Sequence, residues 1–277
     1  MGTFRGCLLL GGLMLAAPTA ALADSAGNIV SLQGSGEIRP VKADAWQSAR
    51  QGQDLFHGDF VRTGGLSQMA ILLLPERMQI RLTQNSQLQI KSPADAAAGT
   101  QVLIRLNAGR AWSGAKGTPA PAPSAPPQIR METPSATLAI RGTEWEIEVG
   151  ADGRTQLAVM SGEVEVYNDL GSVRVASGEG ALAEIGKAPV KFEIANPRER
   201  IQWVVRWRLE PQRYLTAVKA PDALAQRGAE LIGEGRLAEA AALLDPAARR
   251  GDASVPVLMM AADLHVTAGR RADTTHW

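Results

Sequence analysis

The side chains best able to do chemistry are few in this chain. Its 277 residues include three histidines, His57, His265 and His276, and one cysteine, Cys7. No two histidines have the helical spacing that puts a pair of imidazoles around one metal ion. Met160-Ser161-Gly162 lacks the flanking glycine pattern of a nucleophile elbow. Glu144, Glu146 and Glu148 alternate with Trp145, Ile147 and Val149, and two such carboxylates on one strand face resemble a glycosidase pair. Alternation of this kind is generic in half-buried strands, so a solvated face is the expected role. No Walker or dinucleotide glycine motif is present. The expectation is therefore a protein that is not an enzyme, with no catalytic residue, no metal and no cofactor.

Cys7 lies in a stretch that reads as a secretory leader. Arg5 supplies a positive start, Leu8 to Ala17 an apolar run too short to span a bilayer, and Ala21-Leu22-Ala23 a small-residue cleavage site. Residues 1–23 are expected to be removed, leaving a mature start at Asp24. That form has no thiol, so disulfides and thiolate sites are excluded. It has no run long enough for an integral membrane span, so a periplasmic or secreted protein is expected. The full chain has 29 basic and 28 acidic residues, and removing Arg5 leaves 28 of each. A neutral chain gives no general electrostatic reason to bind nucleic acid.

The remaining residues must be positioned by strands. From Asn28 to about Ile194 short runs of period two follow one another, among them Val102–Leu106, Glu144–Val149, Glu163–Val166 and Ser172–Val175. Gly- and Asp-rich turns punctuate them, as at Arg62-Thr63-Gly64-Gly65 and Ala151-Asp152-Gly153. The pattern predicts a mainly β chain, with an all-β domain over 24–195 of sandwich or solenoid-like form. Residues 114–128 read GAKGTPAPAPSAPPQ and are expected to form an exposed Pro/Ala-rich loop within that domain.

At Asn196-Pro197 the period becomes helical. Trp203 and Trp207 stand four apart, on one helix face, among several arginines, and are a candidate partner surface. From Leu224 onward the chain is alanine-rich. Gly235-Arg236-Leu237-Ala238 has an echo at Gly269-Arg270-Arg271-Ala272, 34 residues later (269 − 235). That is the tetratricopeptide period, so 196–277 reads as a tetratricopeptide-like helical segment cut short after its first repeat.

The β region is similar to the FecR family in an ordered set of motifs over about residues 28–185. Gly52 to Gly64, with Gly58, Asp59, Arg62, Thr63 and Gly64, resembles the opening "G-x-x-L-x-x-G-D-x-V-R-T-G" segment. Leu106 to Ala111, with Gly109, resembles an "L-x-x-G-x-A" step. Thr133, Pro134, Arg141, Gly142, Thr143 and Trp145 fit "T-P-x-A-x-x-x-x-R-G-T-x-F/W", and Gly162 fits the closing "x-G-x-V-x-V". Turn chemistry and register fixing account for these residues: glycines at junctions, Thr133-Pro134 starting an edge strand, and Asp59, Arg62 and Arg141 pairing across strands. The resemblance implies a periplasmic sensing or interaction domain. Members that pass a signal to a sigma factor do so through a cytoplasmic segment and a membrane helix, and the expected cleavable leader departs from that plan. Two functions remain: a module for an envelope protein partner, or a protein directed at carbohydrate or peptidoglycan. In the second case Trp46, Trp112 and Trp145 would line one groove and stack on sugars.

Overall fold

A computed structural model of the chain describes residues 25–74, 78–92, 102–114, 129–194, 209–216, 220–251 and 253–267. The expected leader, most of the Pro/Ala-rich stretch, Trp203, Trp207, His276 and the echo from Gly269 lie outside these residues. The chain is mainly β with a helical C-terminal region. The strands are β1 (Gly27–Gln33), β2 (Gly36–Arg39), β3 (Gln47–Ser48), β4 (Asp54–Leu55), β5 (Phe60–Thr63), β6 (Gln68–Leu73), β7 (Met78–Leu82) and β8 (Gln87–Lys91). They continue as β9 (Val102–Ser113), β10 (Ile129–Glu132), β11 (Thr137–Val149), β12 (Thr155–Asn168), β13 (Gly171–Ala176), β14 (Glu179–Ala183) and β15 (Val190–Glu193).

All the strands belong to one hydrogen-bonded system that doubles back on itself. One layer runs β4-β1-β6-β7-β9-β11-β12-β14-β15, and the other runs β3-β2-β5-β8-β9-β10-β11-β12-β13. Strands β9, β11 and β12 appear in both. The first half of β9 pairs with β8 and β10, and its second half with β7 and β11. Each long strand therefore bends where it passes between layers. The bends fall at Gly109 (φ 88°), Gly142 (φ 58°) and Gly162 (φ 81°), a backbone region that an L side chain enters at a cost of about 1–3 kcal/mol. Pairing of β11 with β12 shifts register between Arg141 and Trp145, so the Gly142 bend is also a bulge.

Hydroxyls stitch these crossings into a seam. Ser67 Oγ accepts from the Ser35 N–H at 2.9 Å, and Ser86 Oγ accepts from the Arg110 N–H at 3.0 Å. Thr63 Oγ1 accepts from the Ser86 N–H, and Ser161 Oγ from the Glu144 N–H. Ser177 Oγ donates to the Met160 carbonyl. These contacts satisfy backbone groups that a bent strand withdraws from its ladder. Between the layers lies a single apolar core, drawn from Ile71, Ile80 and Leu157 on one side and Val61, Ile104 and Leu138 on the other, with Trp145 fully buried.

Thr133-Pro134 is placed differently from the sequence expectation. These residues turn the chain from β10 into β11, and β10 is an interior strand flanked by β9 and β11. Thr133 both donates to and accepts from the main chain of Ala136, and a buried chain of hydroxyls links Ser135, Thr155 and Thr133 at 2.8 Å per step. Proline is tolerated here because the turn asks no ladder N–H of it.

The helices are α1 (Pro211–Leu215), α2 (Ala223–Gly233), α3 (Leu237–Arg250) and α4 (Val255–Thr267). Their buried faces form a second core that includes Leu66 of the β5–β6 turn. Leu66 has φ 53°, and its side chain packs among the helices. Met260 and Leu264 of α4 are buried in that core, whereas Val255, Leu258 and Met259 face outward.

Asp222 caps α2, accepting from the Ala225 N–H at 2.7 Å. Its carboxyl lies below the usual range because of the nearby Ser254 hydroxyl, short of full hydrogen-bond geometry, and then the Ala225 N–H. A depressed carboxyl contributes stability that is present above its unfolded pKa, about 4, and lost as pH falls through the folded value. Asp222→Ala is expected to cost about 1 kcal/mol at neutral pH. The deficit, read by helical circular dichroism during urea unfolding, should shrink below about pH 4.

Candidate functional site

The groups singled out for chemistry do not converge. His57 Nδ1 lies 3.1 Å from the Lys91 carbonyl in an exposed turn. His265 Nε2 reaches both carboxylate oxygens of Asp245 at 2.9–3.0 Å, tying α4 to α3. Among the described residues no cluster of His, Cys, Asp and Glu is able to hold a metal ion.

Of the carboxylates of β11, Glu144 and Glu148 are half-exposed, but Glu146 is not part of a solvated face. Glu146 is fully buried, with Arg110 Nε at 3.1 Å from Oε1, and Arg110 Nη2 also holds Glu148 at 2.9 Å. Alternation does put them on the outer side of their layer, and that side is covered at Glu146. Ile194, where the chain leaves β15, packs with Trp112, Ala158 and Met160. A guanidinium beside a buried carboxylate compensates its lost hydration, so the pair is a structural brace.

Asp59, expected to pair with an arginine, is instead buried and accepts from two backbone N–H groups, Val41 at 3.0 Å and Phe56 at 2.9 Å. It fixes the loop that leads into β5. Arg141 stands opposite Glu163 in the β11–β12 register. Arg62 does pair across strands, donating from Nε to Glu37 Oε2 at 2.6 Å.

Arg62 opens onto an arginine–aromatic cluster at the surface. It lies on the outer side of the second layer. Arg39 and Glu37 of β2 stand opposite Phe60 and Arg62 of β5, which stand opposite Gln89 and Gln87 of β8. Gln89 in turn stands opposite Arg105 of β9. The loop before β3 brings Trp46 over this row. The Arg62 guanidinium lies 4.1 Å and that of Arg39 5.3 Å from the Trp46 ring centre, and Arg39 lies 4.4 Å from Phe60. Cation–π contact of this kind holds planar guanidinium groups in place while their N–H edges face solvent. Lys91 closes the row on Glu132, 3.0 Å from both oxygens.

The tryptophans do not line a common groove. Trp145 is in the core, Trp112 is buried on the outer side of the first layer with Arg81 over it at 5.2 Å, and the ring of Trp46 carries two arginines. Of the cluster, only Arg62 belongs to the motif residues. Trp46 was noted only as a sugar-stacking ring, and nothing local shows that β2, β5 and β8 are neighbours.

The bent two-layer sheet therefore presents a polar, arginine-lined outer face on its second layer. Residues 59–165 match the family model described as FecR protein, so a FecR domain runs from the loop before β5 into the second half of β12. Every glycine bend of β9, β11 and β12 falls inside it. No curated protein matches the chain. Among solved structures, two crystal structures of a candidate anti-sigma factor from Parabacteroides distasonis are similar, at 14% and 15% identity and a TM-score of 0.41 each. The match covers 53% of this chain and 64% and 63% of theirs, so the chain spans less than two thirds of their length.

Proposed function

We propose that this protein is a non-catalytic interaction and sensing module of the bacterial cell envelope, exported by its leader, whose FecR domain contacts a protein partner. The observation that carries this reading is the outer face of the second layer. There Arg39, Phe60 and Arg62 of β2 and β5 form a half-exposed cluster with Trp46 of the loop before β3, on strands anchored by the core and the seam. Arginine and aromatic side chains on a rigid element are the composition of contact hot spots. The FecR match supports the class of function. The buried or arginine-capped tryptophans favour a protein partner over a polysaccharide.

The test is site-specific photo-cross-linking in envelope preparations, with benzoylphenylalanine in place of Gln89 on this face or of Lys187, an exposed turn residue away from it. The expected result is an adduct with an envelope protein from position 89 and none from 187. No adduct from 89, or equal adducts from both, overturns the reading. Export is tested separately. Sequencing of the protein from a periplasmic fraction should begin at Asp24, and a full-length cytosolic species as the dominant form contradicts it.

A further inference from the structure

The cations of the second layer's outer face are unequally matched. Arg62 is held by Glu37, and Lys91 by Glu132. Glu132 stands beside Arg105 in the β9–β10 register, but its carboxylate turns to Lys91. Arg39 and Arg105 remain: among the described residues no carboxylate bridges to either, and Arg105 is exposed. Counting Arg39, Arg62, Lys91 and Arg105 against Glu37 and Glu132, the patch carries an excess of positive charge, four against two, on a chain whose formal net charge is only +1.

Arg39 and Arg105 occupy the same cross-strand row, with Phe60 and Gln89 between them. Three inter-strand steps of about 4.8 Å separate them by about 14 Å, the length of about four residues of extended chain. From this we infer that the face binds an extended acidic segment of a protein, laid across the strands, with carboxylates at positions i and i+4 received by Arg39 and Arg105. The inference rests on the protein-partner reading above and names its chemistry.

Guanidinium groups suit this role because their planar fork matches a carboxylate in two parallel hydrogen bonds. Two separated single charges with an apolar ring and an amide between them fit a chain with side chains at intervals. They do not fit a lipid surface, which attracts clustered lysines and arginines. A sugar polymer stacking on Trp46 would share that ring with Arg39 and Arg62, which already lie against it.

The experiment uses the full mature chain and a short fluorescein-labelled extended peptide of glycine and serine with glutamates at i and i+4. A saturable rise in anisotropy is expected, weakened about ten-fold or more by Arg39→Gln and by Arg105→Gln, each losing a charge-assisted contact. Arg174→Gln, at the β13 edge, should leave it unchanged, and the glutamine version of the peptide should not bind. Thermal melts of the arginine variants matching the parent exclude loss of fold as the cause. No saturable rise, or a rise indifferent to both arginines, overturns the inference. So does binding through Arg39 and Arg105 to phosphatidylglycerol vesicles or to heparin without binding to the peptide. If the peptide fails while the adduct from position 89 forms, the acidic chemistry is wrong and the protein-contact reading stands. If both fail, that reading falls too.

Discussion

Replacing Trp145 by alanine is expected to lower the stability of the β domain by about 3–5 kcal/mol, the usual cost of deleting a buried large aromatic side chain. The indole is fully buried just past the Gly142 bend, in register with Ser113 of β9 and Val159 of β12, so it fills the core where β11 enters the first layer. Its Nε1 has no hydrogen-bond partner among the described residues. A buried donor left unpaired costs about 1–3 kcal/mol. Trp145→Phe removes that donor while keeping most of the apolar volume, and should cost less than half as much as the alanine variant. Urea unfolding followed by tryptophan-independent far-ultraviolet circular dichroism measures both. Equal losses for the two substitutions would show that ring packing is not what holds this site.

The second large effect is at Gly109. Its φ is 88°, and a Cβ added there would lie 2.4 Å from the Ser86 Cα and 2.3 Å from its Oγ. Ser86 has little room to retreat, because its N–H is held by Thr63 Oγ1 and its hydroxyl by the Arg110 main chain. Backbone strain and overpacking therefore add, and Gly109→Ala should cost about 2–5 kcal/mol. Gly186 provides the comparison: its φ is 76°, but nothing lies within 4 Å of an added Cβ. Gly186→Ala should cost only the conformational part, about 1–2 kcal/mol. If the two variants melt alike, the close approach of β9 to the β7–β8 turn is not a constraint on the fold.

Much of the scaffold can be read from residue order because it depends on local rules. The alternation through Glu144–Val149 marks a strand with one buried face, and the glycines at 109, 142 and 162 break runs that would otherwise be uninterrupted. Local rules do not show that one strand serves two layers. The run from Thr137 to Val149 pairs with β10 at one end and β9 at the other, a fact about distant partners. Glu146 shows the same limit: period two puts it on the outer side, while the burial of that side comes from packing around Trp112 and Ile194. Leu66 reads as a turn residue, and only the helical core explains an apolar side chain there.

The candidate face was the least legible part. Arg39, Phe60, Gln89 and Arg105 are adjacent because β2, β5, β8 and β9 pair in that order, although they are scattered along the sequence. Trp46 drew attention as a sugar-stacking ring, and its two arginine neighbours give it a different role.

Residues that build the two layers are distinct from residues that make contact, and Trp46 is the sharpest probe of that division. Trp46 is half-buried at the surface and touches Arg39 and Arg62 rather than the core. Two exposed cation–π contacts of about 0.5–1 kcal/mol each set the scale of what Trp46→Ala loses in stability. Unfolding free energy and cross-link yield from position 89 should be measured on the same Trp46→Ala preparation. The expected result is a loss of at most about 2 kcal/mol in stability together with disappearance of the adduct. A folded variant that still gives the full adduct would contradict the assignment of this face as the contact surface.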